Sequence, residues 1–173
     1  MALNKTGLKA GLKTAFQNAP GTNDNFSDLA QEFADAVDTY YKTGSVSGFL
    51  SGGSNLSVST PSFTALKAGL KTAFQNAPGT NDAFDTIAQE ISDAIDTHTK
   101  TGTVSATTGP GSGAISVPSN ATLKTDVQTA FQNAPGTADN FDTIAGDIAL
   151  AVDTYLKTGF VVGTSGGVPL PVT

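Results

Sequence analysis

With 173 residues, no cysteine and a formal charge of −6, the chain is excluded as a disulfide scaffold, a thiolate metal site or a basic phosphate-binding surface. Hydrophobic residues (38%) and charged residues (14%) both fall below the usual globular shares, and Thr, Ser, Asn and Gly fill the difference. All nine basic residues are lysines standing singly, so nucleic acid is not an expected partner.

The opening MALNKTGLKAGLKTAF holds no continuous apolar stretch of the secretory kind, and no window approaches the ~18 apolar residues of a membrane span. The expectation is a soluble protein made in a cytoplasm, with no membrane partner. Leu8, Leu12 and Phe16 stand four apart and share one helix face. That helix is expected to stop at Ala19, because Pro20 cannot continue it and Gly21 takes positive φ readily. Asp24 is placed to cap a second helix by accepting from its first free N–H groups. In this helix Phe26, Leu29, Phe33, Val37 and Tyr40 follow spacings of three and four, with Ala30, Ala34 and Ala36 widening the face. Gly44 ends it, shortly after Lys42, a cation suited to a helix C-terminus.

The same unit then recurs twice. The string AFQNAPGT begins at Ala15, Ala73 and Ala130, and the strings AVDTYYKTG, AIDTHTKTG and AVDTYLKTG begin at Ala36, Ala94 and Ala151. Residues 1–44, 63–102 and 122–159 are therefore read as three helical hairpins, with linkers at 45–62 and 103–121 and an extended tail at 160–173. The fold class expected is mainly α: repeated antiparallel helical hairpins with short β segments in Gly/Ser/Thr-rich connectors. A hairpin of about forty residues buries too little apolar surface to offset its chain entropy. The hairpins must pack on one another or on a larger partner. A six-helix cluster with pseudo-threefold symmetry is expected, and a linear array is the alternative.

Within the linkers, Leu56–Ser59 and Ala114–Val117 alternate as short strands do, each closed by a proline, and Val46, Val104 and Val161 are placed to start others. The tail ends VPLPVT, and Pro169 and Pro171 exclude helix there. Its apolar residues Val168, Leu170 and Val172, with Leu56, Val58, Ile115 and Val117 of the linkers, are the candidate contacts with a partner.

Little in the sequence can carry catalysis. The one histidine, His98, stands where the other copies have Tyr40 and Tyr155, which reads as a packing position. No Cys/His cluster is present to hold a metal. Asp38, Asp96 and Asp153 recur at one position and read as a solvated helix face, with a cation on a threefold axis as the sharper alternative. Asn23-Asp24-Asn25 lacks the spaced acids of an EF-hand, and the glycines from Gly109 to Gly113 match no phosphate loop. The Gln17-Asn18 pair is placed to satisfy helix-end carbonyls or to bridge hairpins. No catalytic, cofactor-binding or metal-binding residue is expected, and no enzyme.

The strings AVDTYYKTGSV, AIDTHTKTGTV and AVDTYLKTGFV resemble a segment of small virion proteins of tailed bacteriophages, although His98 and Thr99 depart from its aromatic pattern. The resemblance covers the second helix of each repeat and its exit. It implies a virion component assembled in the host cytoplasm: a capsid decoration or cement protein bound between capsomers, with the major capsid protein as partner. A tail, baseplate or fibre-associated protein is the alternative, and self-association into a homo-oligomer is compatible with either. From a different class, a surface glycan-binding module is a further alternative, against which the lack of an export signal counts.

Overall fold

In the computed structural model the described residues are 4–18, 26–43, 45–46, 54–55, 63–75, 83–105, 112–117, 119–133, 141–163 and 170–171. The chain is mainly helical, as its periodicity predicts. The helices are α1 (Lys5–Asn18), α2 (Phe26–Thr43), α3 (Phe63–Gln75), α4 (Ala83–Thr101), α5 (Ala121–Gln132) and α6 (Phe141–Lys157). The PGT turns, the expected cap Asp24 and its counterparts Asp82 and Asp139 in the other copies lie outside the described residues. Within the helices, Asp28, Asp85 and Asp142 occupy first turns while Lys42, Lys100 and Lys157 occupy last turns, the polarity that suits the helix dipole.

Each helix packs on its neighbours in the chain, and α6 packs on α1, so the six close into a ring. Asn18 at the end of α1 donates from Nδ2 to both carboxylate oxygens of Glu32 at 3.2 Å, near the start of α2. Gly11 meets Ala36 further along, so α1 and α2 run antiparallel. The amide of the Gln17-Asn18 pair thus bridges the two helices of one repeat. Closure between α6 and α1 rests on the stacked rings of Phe16 and Phe141, 6.4 Å apart, and on Lys9 and Lys13 meeting Asp142 at 2.7 and 3.1 Å. Hydrogen bonds from Lys9 and then Lys13 hold the Asp142 carboxyl below its ordinary range, but the group is exposed and the pairs contribute little. Between α4 and α5, Lys124 pairs with Asp85 at 2.9 Å and Asn120 donates to Asp93 at 2.7 Å.

The apolar stripes converge on one core. Leu8, Leu12, Leu66, Leu70, Leu123 and Val127 point inward from α1, α3 and α5. Phe33, Val37, Ile91, Ile95, Ile148 and Val152 point inward from α2, α4 and α6. Aromatic rings gather towards the turn end, where Phe16 meets Phe33 and Phe131 edge-on at 6.1 and 6.4 Å and Phe33 meets Phe74 at 6.0 Å.

At the other end, strands leave the helices. Strand β1 (Ser45–Val46) pairs antiparallel with β2 (Ser54–Asn55). Strands β3 (Thr103–Ser105), β4 (Ser112–Ser116), β5 (Phe160–Gly163) and β6 (Leu170–Pro171) form an antiparallel sheet in that order. Ile115 sits opposite Val161, both are buried, and Ala114 between the buried Gly113 and Ile115 is exposed. One sheet face therefore joins the helical core, and β4 packs on α4. Gly159 makes the passage from α6 to β5 possible: a Cβ there would come within 2.7 Å of Val117 Cγ1 and 3.1 Å of the Ser116 carbonyl oxygen.

One expected partner contact is corrected here, and the backbone of a second is placed. Ile115 is spent on the chain's own core, at 3% exposure, because strand alternation turns it to the helices. The backbone of Leu170 lies in β6, which pairs with β5 at Val161.

The close approach of α1 to α2 gives a direct test. A Cβ at Gly11 would stand 2.7 Å from the Ala36 Cβ. Gly11→Leu should force the helices apart and lower unfolding free energy by roughly 1–3 kcal/mol in urea titrations. A midpoint unchanged from wild type would show that the two helices are not in contact at this point.

Candidate functional site

The helix sequence that ends each repeat reads Asp-Thr-Tyr/His-x-Lys, which places the acid and the Lys four residues apart on one face. In all three copies that pair forms: Asp38 with Lys42, Asp96 with Lys100 at 2.8 Å, and Asp153 with Lys157 at 2.9 Å. The lysines remain half in solvent, whereas the aspartate side chains retain only 10%, 16% and 7% of their exposure. The expected solvated acidic face is therefore corrected: these carboxylates turn inward. Among the described residues no group of His, Cys, Asp and Glu is placed to hold a metal ion.

Each faces an aromatic side chain from another repeat, a tyrosine hydroxyl at two of the three. Tyr40 of α2 donates to Asp153 of α6 at 2.6 Å, and Tyr155 of α6 donates to Asp96 of α4. In α4 the matching residue is His98, whose Nε2 faces Asp38 Oδ1 of α2 at 3.9 Å. First repeat to third, third to second, second to first: the three joints close a cycle at the end of the bundle that the sheet adjoins. His98 is thus more than a packing residue, since it holds the third place in a polar network.

A further bond crosses the centre. Thr99 donates its hydroxyl to the Ile95 carbonyl at 2.7 Å, which leaves Tyr41 as the donor in the 2.6 Å contact between Tyr41 and Thr99. The Tyr41 ring also lies edge-on to His98 at 5.4 Å and to Tyr40 at 5.9 Å. Burial, and then the hydrogen bond to Asp153, push the Tyr40 phenol far above its ordinary range. Burial and the bond to Asp96 do the same for Tyr155, and burial does so for Tyr41 against the opposing bond with Thr99. These phenols are held as neutral donors, a structural use of the hydroxyl.

The outer surface repeats as well. Shallow grooves of about 350, 330 and 330 Å³ run between α1 and α2, α3 and α4, and α5 and α6. Each is lined by corresponding threonines: Thr14, Thr72 and Thr129 on one wall, Thr39, Thr97 and Thr154 on the other. The first three donate to carbonyls four residues back in their own helices, so these hydroxyls are not directed at a ligand. Among the described residues Leu150 is the one large apolar side chain left exposed, and a single such residue is ordinary.

Of the candidate partner contacts, Val117 is half-buried against the core, beside Gly159. Leu56, Val58, Val168 and Val172 lie outside the described residues. Sequence reasoning missed the cyclic network. Its signal was present in the recurrence of Asp-Thr-Tyr/His with Lys two residues later, but the bonds join residues 113 and 59 positions apart.

Compared with protein-family models, with curated proteins and with solved structures, the chain gives no match in any of the three. Among the described residues no helix is long and apolar enough to cross a membrane.

Two measurements test the network. Tyr40→Phe removes one charge-assisted donor and should cost roughly 1.5–3 kcal/mol of unfolding free energy in denaturant titrations. A cost indistinguishable from zero would mean the bond does not hold the repeats together. The second test uses pH. Free phenols ionise near pH 10, while all three tyrosines of the chain keep their protons above that in the folded state. Above pH 10 the unfolded chain therefore binds fewer protons, and stability should fall by up to roughly 1.4 kcal/mol per pH unit for each tyrosine. Tyrosinate absorbance should rise only together with loss of helical circular dichroism. Ionisation near pH 10 with helices intact would contradict the buried network.

Proposed function

We propose that this chain is a non-enzymatic structural component of a tailed-phage particle, a trimer of helical hairpins written in one polypeptide. The observation that carries the reading is the cyclic order of the joints, Tyr40 to Asp153, Tyr155 to Asp96 and His98 beside Asp38. The residues that make these joints are those of the Asp-Thr-Tyr/His-x-Lys-Thr-Gly strings that resemble virion proteins. The repeats are read as three antiparallel hairpins, α1–α2, α3–α4 and α5–α6, related by a pseudo-threefold axis. Such a unit fits a site of threefold symmetry with one chain in place of three.

The three phenols at the centre are spent on hydrogen bonds within the chain. That supports a scaffold role over catalysis. The most specific form of the proposal is a capsid decoration or cement protein lying between capsomers on the major capsid protein. The same threefold order also favours a tail, baseplate or fibre position, which copy number distinguishes. Quantitative mass spectrometry of separated heads and tails is the test. High copy number in heads is the expected result, whereas roughly three to twelve copies confined to tails would select the second position. Absence from both fractions would overturn the virion reading.

A further inference from the structure

We infer that the contact between His98 and Asp38 is a proton-operated latch, the one joint of the ring that loosens as pH rises through neutrality. At the two equivalent joints a tyrosine hydroxyl reaches its carboxylate. The imidazole is shorter, and Nε2 stops 3.9 Å from Asp38 Oδ1. That oxygen is buried and has no hydrogen-bond partner, while Lys42 occupies Oδ2. The first and second repeats are thus joined at this level by a carboxylate oxygen taken out of water and left one short step from a donor.

Imidazole is the side chain whose charge ordinarily changes between about pH 5 and 8. Protonated, His98 presents an N–H and a positive charge to Asp38, and a closure of about 1 Å makes a charge-assisted hydrogen bond. Neutral, it carries no charge and a proton on Nε2 in only one of its two tautomers, and at 3.9 Å Oδ1 stays desolvated at a cost the other two joints do not bear. The sign follows: the contact is strongest on the acid side and weakens as pH rises. Other groups around His98 do not substitute for this titration. From α2 come Asp38, its partner Lys42, and Tyr41, whose hydroxyl is given to Thr99. From α6 comes Tyr155, given to Asp96. Strand β4 reads SGAIS and brings no titratable side chain. Helices α3 and α5 bring Lys67, Lys71, Lys124 and Asp126, all partly in solvent.

The test compares the full-length chain with His98→Tyr and Asp38→Asn by thermal unfolding at pH 5 and pH 8, with the imidazole signals of the sole histidine followed by NMR. His98→Tyr supplies the missing hydroxyl and should raise Tm by about 2–4 °C at pH 8, with the gain reduced by at least half at pH 5. Should the larger ring fail to fit, Asp38→Asn carries the test alone, with a greater loss of Tm at pH 5 than at pH 8. The latch is overturned by either substitution acting equally at both pH values, or by an imidazole that does not titrate in the folded protein between them.

Discussion

Each repeat carries two helices with one apolar face apiece, and two such helices cannot hide both faces from water by packing on each other alone. Leu8, Leu12 and Phe16 of α1 need a surface on α2 and a second one on α6. The same demand made by α3 and α5 is answered by α2 with α4, and by α4 with α6. A ring is the arrangement in which no helix is left with an open flank. The continuous core from Leu8 to Val161 is the consequence.

An apolar core of this kind tolerates sliding of one helix along another, because leucine and isoleucine contacts are non-directional. The polar joints restrict it. Tyr40 meets Asp153 only when α2 and α6 sit at one height, and Tyr155 meets Asp96 only when α6 and α4 do. Buried carboxylates that accept a neutral phenol and also hold a lysine at the rim are satisfied on both sides, which offsets their desolvation. The strands do the remaining work at that end. Strands β3 and β5 begin two and three residues past α4 and α6, and β4 and β5 cover the core with Ile115 and Val161.

Much of the architecture was legible because helix periodicity is a local property. Spacings of three and four, the proline–glycine stops and the lysines before Gly44, Gly102 and Gly159 marked six helices from the chain alone. The candidate site was not legible in the same way. Asp38 follows Val37 and precedes Thr39, so on a helical wheel it borders the apolar face and reads as solvated. Only the arrival of an aromatic side chain from a different repeat, His98 at Asp38 and a tyrosine at Asp96 and Asp153, makes that border an interior. His98 reads as a filler for the same reason, because the carboxylate it faces lies sixty residues earlier in the chain. The sequence around Ile115 reads equally as a partner contact, because an isolated alternating segment does not reveal which sheet it joins.

By itself, the sequence determined what depends on near neighbours: helical content, where helices stop, and the threefold recurrence of one amphipathic unit. Tertiary structure alone decided which repeat each aromatic reaches, that the recurring aspartates face inward, and that the linker strands close over the chain's own core. The physical reason is range. Backbone propensity and side-chain periodicity act over one or two helical turns, whereas a hydrogen bond between Tyr40 and Asp153 exists only after the whole ring has closed.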